Sequence, residues 1–560
     1  MNFKKYISKK INVNFALCEE LEKLFVIGQE DKGDFCLPCF KFAKALKISP
    51  VMAADKIIQS ISDKSGVLKI ENVNGYVNFY IDYSVFSKDL IFEIIENGEN
   101  YGQRDFNNKT ICIDYSSINI AKPFHIGHLS TTVIGGALYK IYKFLGYNVI
   151  GINHLGDYGT QFGKLICAFK RWGNKKDVEV GKIKELFRLY VKFHDEAKKD
   201  VSLEDEARTY FKKIENNDTE CVKLFEFFKT ITLKEVEKVY KLLDVTFDSY
   251  NGESFYNDKM QGIIDDLKVK NLLQYHDGAH IVDLEKYNLP PCLILKADGA
   301  SLYATRDLAA ADYRYKTYKF DKNLYVVAYQ QNLHFQQVFK VLELMGKSYA
   351  GSCEHIAFGM VSLEGSGSMS SRDGNVVFLE DVINKSVEKA LKIIEEKNPQ
   401  LDGKIDTANI VGVGAVIFSA LINNRIKDIV FSYDKILNFD GETCPYVQYT
   451  YARCSSVMKK SKINFENAVF ENLEPQEILL IKQLSHFKQI LNDVANKNEP
   501  SILTRYVVDI CKIYNKFYFD LRIITGNPDI TKKRVALTKA TMIIIKNGLR
   551  LLGIKTADRM

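Results

Sequence analysis

The first hundred residues combine two hydrophobic patterns. The stretch FKFAKALKI repeats apolar positions at helical spacing, whereas GYVNFYID alternates apolar and polar positions as a half-buried strand does. A polar run, ENGENYGQRDFNNK, follows and indicates a boundary. We therefore predict a small α+β domain over residues 1–105.

The next segment predicts a strand, a helix and a second strand. KTICIDYSS is a short apolar run typical of a buried strand, and NIAKPF is a loop. A helix is expected from about His125 to Phe144, before a strand around NVIGIN. Such a βαβ unit implies a parallel sheet, so the sequence predicts a Rossmann-type α/β domain over residues 106–390.

A charged helical stretch interrupts this α/β pattern. It runs from about Ala168 to Tyr250, and the apolar runs AHIVDL and LILKAD follow it. We interpret residues from about 168 to 290 as an insertion between two halves of the parallel-sheet domain. After about Asn375 the periodicity is almost wholly helical, which predicts an α-helical bundle over residues 391–560.

Length and composition bound the class of protein. A chain of 560 residues with 46% hydrophobic and 26% charged residues exceeds what one hydrophobic core supports, so we expect several globular domains. No apolar run approaches the roughly 20 residues of a membrane span, and the start lacks a signal-peptide core. We expect a cytoplasmic protein with no membrane partner.

The cysteines give no sign of a metal site. Of the 11 cysteines, only Cys36 and Cys39 have CxxC spacing, and neither a second CxxC nor a nearby histidine pair completes a tetrahedral site. Reduced structural thiols are the simpler interpretation. We predict no metal held by the protein itself.

Positive charge is concentrated towards the end of the chain. Residues 441–560 contain 19 Lys and Arg against 11 Asp and Glu, an excess of 8, while the whole chain carries +7. A basic helical module suggests a polyanionic partner. Lysines that only solvate a helical surface would give the same count, so charge alone leaves both interpretations open.

The sharpest motif is AKPFHIGH, which lies between the first strand and the following helix. The start of a helix presents unpaired backbone N–H groups and attracts phosphate. His125 and His128, three residues apart, can both donate to triphosphate oxygens, and Gly127 leaves room for a flat base against the backbone. The alternatives for an HxxH pair are helix capping and zinc binding.

In this motif and in six further segments, the chain resembles the arginyl-tRNA synthetases, a family of class I aminoacyl-tRNA synthetases. The resemblance rests on seven segments in the order SSINIAKPFHIGH, GINHLGDYGTQFGKL, SLYATRDLAAADYRY, VAYQQNLHFQQVF, FGMVSLEGSGSMSSRDGN, GETCPYVQYTYAR and NGLRLLGIKTADRM. It implies that the α/β domain is catalytic and that the helical bundle binds the tRNA anticodon. It also implies that residues 1–105, with Asn74-Gly75-Tyr76, form an additional tRNA-binding domain that approaches the tRNA elbow.

The resemblance implies a reaction in two steps. Arginine and ATP, with Mg²⁺, give arginyl-adenylate and pyrophosphate, and the arginyl group then passes to the 2′-hydroxyl of the terminal adenosine of the tRNA. The expected ligands are therefore L-arginine, ATP and a tRNA specific for arginine, and we expect a monomer.

An arginine pocket can be argued from chemistry beside the resemblance. Tyr303 and Asp307 lie four residues apart in a helical stretch and share one face. A carboxylate there could accept a forked pair of hydrogen bonds from a guanidinium, although a local surface Asp–Arg pair is the alternative. The positions that the resemblance assigns to the amino acid are Asp114, Ser117, Asn119, His128, Tyr303, Asp307 and Gln331.

The second phosphate-binding loop departs from the family pattern. Where the class has KMSKS, this chain has Ser368-Met369-Ser370-Ser371-Arg372, without either lysine. We predict a diverged ATP loop in which Met369, Ser370 and Ser371 approach ATP and Arg372 supplies a cation, although a glycine-rich surface turn would look similar. The resemblance implies that Lys122, just before the HIGH motif, takes over the work of the missing lysines.

Residues predicted to contact tRNA cluster near the start of the helical bundle. The pattern Tyr446, Gln448, Tyr449 and Arg453, with Tyr451, is aromatic and basic and could stack on unpaired bases, although tyrosine at helical spacing is also common in cores. Two alternatives to a synthetase stay open. One is a small nucleotidylyltransferase, and the other is a non-catalytic tRNA-binding relative that has lost the loop lysines.

Overall fold

The computed structural model describes residues 3–11, 21–28, 32–120, 122–296, 302–365 and 376–560. The chain divides into two compact units, which are described separately below. The first comprises Met1–Tyr101, Arg453–Lys488 and Asp509–Asn547, and the second comprises Gly102–Ala452, Gln489–Val508 and Gly548–Met560.

The N-terminal segment of the first unit is an α+β structure. Its elements are α1 (Phe3–Ser8), α2 (Leu21–Leu24), β1 (Val26–Ile27), β2 (Phe35–Pro38), α3 (Phe40–Leu46), α4 (Pro50–Gln59), β3 (Val67–Val73), β4 (Tyr76–Ile81) and α5 (Tyr83–Asn97). The strands form one antiparallel sheet in the order β1-β2-β4-β3. Asn74 and Gly75 have φ of 52° and 83°, as a two-residue hairpin turn requires. The helix and strand predicted from the two patterns are confirmed.

The second unit contains the parallel sheet. Its four strands are β5 (Thr110–Asp114), β6 (Asn148–Ile152), β10 (Lys322–Tyr325) and β11 (Cys353–His355). They lie in the order β11-β10-β5-β6, and every neighbouring pair is parallel. Helix α6 (Leu129–Phe144) connects β5 to β6 and is buried along most of its length. The predicted βαβ unit is confirmed, except that a 3-10 turn over Ile126–His128 precedes the α-helix.

The charged segment after β6 is helical. It contains α7 (Thr160–Trp172), α8 (Lys175–Ala197), α9 (Ser202–Glu215), α10 (Thr219–Leu242) and α11 (Met260–Val269). Helices α7 and α9 approach closely at Gly163, where a Cβ atom would lie 1.9 Å from the carbonyl oxygen of Ala207. An antiparallel sheet of β7 (Leu273–His276), β8 (Ala279–Val282) and β9 (Cys292–Lys296) follows.

The helices α12 (Tyr303–Tyr318) and α13 (Asn332–Leu344) flank β10 in the sequence, and both contribute to the buried core around Leu308 and Leu342. After them the chain is mainly helical, as the periodicity predicted. The remaining elements are β12 (Val361–Leu363), α14 (Leu379–Lys397), α15 (Lys404–Leu421), β13 (Ile429–Phe431), α16 (Tyr433–Ile436), α17 (Cys444–Ser461), α18 (Pro475–Ser485), α19 (Phe487–Lys497), α20 (Ser501–Asp520) and α21 (Pro528–Leu551).

Helix α15 is the most apolar of the long helices that the structure describes. By length and composition it is the one candidate membrane span in the described part of the chain. Most of the helix is buried inside the protein, where it packs against α14 and α6. Such burial is typical of the core helix of a folded domain, so the candidate is weak.

Candidate active site

The candidate residues gather where three parallel strands end. Strands β5, β6 and β10 end at Asp114, Ile152 and Tyr325, at the same edge of the sheet. After β5 the backbone turns sharply, because Ser116 and Ser117 have φ of 69° and 43°. The carboxyl edge of an open parallel sheet is where such folds bind ligands.

The HIGH motif forms the 3-10 turn at the start of α6. The Nδ1 atom of His125 accepts from the backbone N–H of Gly127 at 3.0 Å, and the Nδ1 atom of His128 accepts from the N–H of His125 at 3.2 Å. Both rings must therefore be neutral tautomers that carry their proton on Nε2. Each ring therefore presents an Nε2–H group that can donate to a phosphate oxygen.

The pKa values of both histidines agree with neutral rings. Burial, together with the nearby charge of Lys122, lowers the pKa of His125 to about 4. Burial and the neighbouring His125 hold the pKa of His128 well below its ordinary value. Since both shifts act against protonation, the pair donates hydrogen bonds without adding positive charge at neutral pH.

Gly127 is required by the position of the His125 ring. A Cβ atom on Gly127 would lie 2.7 Å from Cε1 and 2.8 Å from Nδ1 of that ring. The glycine therefore permits the close contact between the imidazole and the backbone of the turn. The predicted space for a nucleotide base beside Gly127 stays a prediction.

The segment after the second predicted phosphate loop pairs directly with the HIGH motif. The N–H of Ile126 donates to the carbonyl of Val377 at 3.0 Å, and the N–H of Leu379 donates to the carbonyl of Phe124 at 2.9 Å. The loop residues Met369, Ser370, Ser371 and Arg372 lie outside the described residues. Their predicted roles stay predictions, but the chain that follows them is fixed beside His125.

Asp114 belongs to a buried ion pair that the sequence did not predict. The Nη2 atom of Arg314 donates to its carboxylate at 2.6 Å, and the Ser117 hydroxyl donates to the other oxygen at 2.6 Å. The Arg314 side chain is 1% exposed, and His154 Nδ1 lies 3.4 Å from it. The charge of Asp114 is thus already balanced within the protein. Arg314 follows Asp307 by seven residues on α12, a helix-face signal that could have indicated it.

Asp307 is the second carboxylate at this edge. It lies on α12, and its Oδ2 atom is 2.6 Å from Nε2 of His334 on α13. Both side chains are about one quarter exposed. Burial opposes ionisation of Asp307, but the hydrogen bond and charge of His334 outweigh it and lower the pKa of Asp307. Asp307 is therefore an available carboxylate at the carboxyl edge of the sheet.

The other predicted amino-acid ligands take different positions. Tyr303 lies on the same helix as Asp307, as predicted, and is 66% exposed. Gln331 is exposed in the 3-10 turn after β10, and Asn119 forms a bridge with Gly156. The predicted contacts of these three residues with the amino acid stay predictions.

A second cluster of charges surrounds Asp157. The Asp157 carboxylate accepts from the Nζ atom of Lys229 at 2.8 Å and from the N–H of Ser254 at 2.9 Å. Burial raises the pKa of Glu253 to about 7, even though Arg306 lies 3.5 Å away. This cluster could not be predicted from the sequence, because its members come from four separated segments.

The predicted tRNA contacts do not all reach the surface. Tyr449 is 43% exposed and Tyr446 is partly buried. Arg453 donates to Asn515 and lies over the ring of Tyr518 at 4.9 Å. Gln448 is fully buried and donates its amide to the carbonyls of Ile410 and Lys555 at 3.2 and 2.8 Å. Gln448 therefore links α17 to α15 and to the segment after α21, so the structure corrects its predicted place in a surface cluster. Tyr451 is also buried.

Potential metal ligands do not cluster in the described part of the chain. Within the described residues, no group of three or more His, Cys, Asp or Glu side chains could hold a metal ion. Cys36 and Cys39 are both buried, and burial raises the pKa of each thiol, in Cys39 to about 12.

Comparison with known protein families matches three segments of the chain. Residues 90–433 match the catalytic domain of class I tRNA synthetases (R), residues 447–560 match the DALR anticodon-binding domain, and residues 1–81 match the arginyl-tRNA synthetase N-terminal domain. The three matches follow the order that the sequence predicted.

Individual proteins match over nearly the whole length. The arginine–tRNA ligase of Alkaliphilus metalliredigens is 49% identical over 97% of this chain and 96% of its own, and that of Clostridioides difficile is 50% identical over the same shares. The Thermus thermophilus arginyl-tRNA synthetase structure superposes with a TM-score of 0.84 over all of both chains at 21% identity, which supports the fold. By sequence and domain order, the chain belongs to the arginyl-tRNA synthetases.

Proposed function

We propose that this chain attaches L-arginine to a tRNA specific for arginine, with ATP as the second substrate. The arginine carboxylate attacks the α-phosphorus of ATP, which forms arginyl-adenylate and releases pyrophosphate. The 2′-hydroxyl of the terminal adenosine then attacks the arginyl carbonyl, which releases AMP. The observation that carries the proposal is the HIGH turn, with two neutral histidines, at the same sheet edge as Asp307.

ATP is proposed to bind at the HIGH turn. The Nε2–H groups of His125 and His128 donate to phosphate oxygens, and Lys122 adds a cation close by, since its charge acts on both rings. Gly127, Met369, Ser370 and Ser371 are the further proposed ATP contacts, with Arg372 as a second cation. Mg²⁺ enters bound to the phosphates of ATP, as part of that substrate.

Arginine is proposed to place its guanidinium on Asp307, with Tyr303 on the same helix. A carboxylate can accept a forked pair of hydrogen bonds from a guanidinium, which the point charge of lysine cannot reproduce. Asp114 is neutralised by Arg314, so it shapes the pocket rather than supplying an unbalanced charge. Ser117, Asn119, His128 and Gln331 are proposed to contact the rest of the amino acid.

The tRNA is proposed to reach both ends of the chain. Tyr446, Tyr449 and Arg453 stay proposed contacts for the anticodon, whereas Gln448 is withdrawn because it is buried. The N-terminal segment binds elsewhere on the tRNA. We further propose that the enzyme works as a monomer in the cytoplasm, without a membrane partner.

Exchange of labelled pyrophosphate into ATP tests the proposal against the two alternatives. Exchange that depends on arginine and tRNA is expected of the synthetase. A nucleotidylyltransferase would exchange without either, and a non-catalytic relative would bind tRNA without any exchange. Neither alternative is favoured, because the chain covers nearly the full length of the arginine–tRNA ligases that it matches.

A further inference from the structure

At the proposed guanidinium site, the Asp307 carboxylate already contacts another side chain. His334 holds Asp307 through a 2.6 Å contact between Nε2 and Oδ2, although the two residues come from different helices. His334 is the third residue of α13, directly after the 3-10 turn that ends at Gln331. A substrate that approaches Asp307 must therefore share the carboxylate with this imidazole.

The two protonation states of His334 leave Asp307 with different charge to offer. A neutral imidazole donates its Nε2–H and fixes the carboxylate while leaving its negative charge uncompensated. An imidazolium donates the same hydrogen bond but already balances that charge. A guanidinium binds more strongly to the first arrangement, because a second cation beside the pair gains less attraction and meets repulsion.

We propose that His334 is a positioning residue of the arginine pocket that couples arginine binding to the release of a proton. The inference rests on the proposed role of Asp307 and adds a regulator of that same site. His334 orients the carboxylate at every pH. When protonated, it also competes electrostatically with the guanidinium of the substrate.

The titration of His334 can be distinguished from that of its neighbours. Burial lowers its affinity for a proton, but the hydrogen bond and charge of Asp307 outweigh burial and raise the pKa of His334 above its usual range. His154 and His355 are shifted the other way, mainly by burial. Arg314 also faces Asp307, but it stays charged throughout.

The sign of the pH effect follows from these directions. Below the raised pKa, His334 is protonated and arginine must displace the proton, so binding weakens as the pH falls. As the pH rises through that pKa the competition disappears and the affinity reaches a plateau. His154 and His355 are shifted towards lower pKa values. Glu253 also acts on Asp307 and has a pKa of about 7, so it titrates in this range as well, and only the loss of proton release in His334→Gln assigns the effect to His334. Full coupling gives about a tenfold change in Kd for arginine per pH unit on the acidic side.

Calorimetry of the full chain with L-arginine, in the presence of its tRNA, measures the coupling directly. Titrations between about pH 6 and about pH 8, in buffers of different ionisation enthalpy, count the protons released per arginine bound. We expect release that approaches one proton at the acidic end and disappears at the basic end. Any proton exchange by the α-amine of arginine is common to the wild type and to His334→Gln, so the difference between the two proteins isolates His334.

Two substitutions separate the two roles of His334. His334→Gln keeps an N–H donor but cannot titrate, so proton release should vanish and binding at the acidic end should match the basic plateau. His334→Ala removes the donor as well, so its Kd for arginine should be independent of pH and lie about tenfold above the basic plateau of the wild type. His355→Gln is the matched control, since His355 contacts the Val327 carbonyl rather than Asp307, and it should keep the wild-type proton release.

The outcomes distinguish this inference from the proposed function. Arginine binding without proton release, or proton release that persists in His334→Gln, would overturn the role of His334 and leave the enzyme's activity as proposed. If arginine does not bind with tRNA present at any pH, the proposed function fails and this inference fails with it.

Discussion

An alanine in place of Gly127 should displace the His125 ring and slow the activation of arginine. In Gly127→Ala, the added methyl would lie 2.7 and 2.8 Å from two ring atoms of His125, whereas non-bonded carbons prefer about 3.5–4.0 Å. The ring must therefore move by about 1 Å and lose its 3.0 Å bond from the Gly127 N–H. Misplacing one transition-state donor costs about a hundredfold in rate. We expect arginine-dependent pyrophosphate exchange to fall about a hundredfold, while thermal unfolding changes little.

A matched control is a glycine at which an added Cβ atom would meet only open space. Gly262 lies within α11, and a Cβ atom there meets no atom within 4 Å, so Gly262→Ala should leave exchange unchanged and stabilise the helix by about 0.5–1 kcal/mol. Normal exchange in Gly127→Ala with an unchanged melting temperature would refute the reasoning. It would mean that His125 does not need its position in the HIGH turn.

Three further predictions follow from the site and the basic module. Lys122→Met should cut arginyl-adenylate formation on the order of a hundredfold with little change in KM for ATP, as pre-steady-state kinetics with tRNA would show; a wild-type rate would move the role to Arg372 or magnesium. Arg314→Met should lower the free energy of unfolding by about 3–5 kcal/mol, because it leaves the Asp114 carboxylate buried without its partner; denaturation in urea measures this, and a free energy of unfolding equal to that of the wild type within experimental error would refute it. Binding of tRNA should weaken steeply with salt, and a salt-independent Kd would contradict the phosphate contacts.

The motifs predicted the frame of the site because they act locally. A strand, a turn and a helix start are set by neighbouring residues, so KTICIDYSS and the HIGH motif predicted the strand that contains Asp114 and the helix start at His125. The partners of the carboxylates escaped prediction, since Arg314 and Asp114 lie 200 residues apart and His334 and Asp307 lie 27 apart. Such contacts depend on how helices and strands pack, which one sequence does not display.

Burial was the other feature that periodicity could not supply. Gln448 shares a helix with the exposed Tyr449, and only the packing of α17 shows that its amide points inwards. The grouping of the chain was also non-local. One compact unit combines Met1–Tyr101 with Arg453–Lys488 and Asp509–Asn547, a grouping that periodicity along the chain does not display. The predicted domain bounds stay predictions.

The most direct test is to identify the amino acid that the enzyme attaches to tRNA. Purified full-length chain, ATP, magnesium and a tRNA specific for arginine would be assayed with arginine, lysine and glutamine, and with Asp307→Ala beside the wild type. The account predicts that the wild type charges arginine alone and that Asp307→Ala loses most of its discrimination against lysine, because the site then lacks the partner of the guanidinium. Equal charging of lysine or glutamine by the wild type would contradict it.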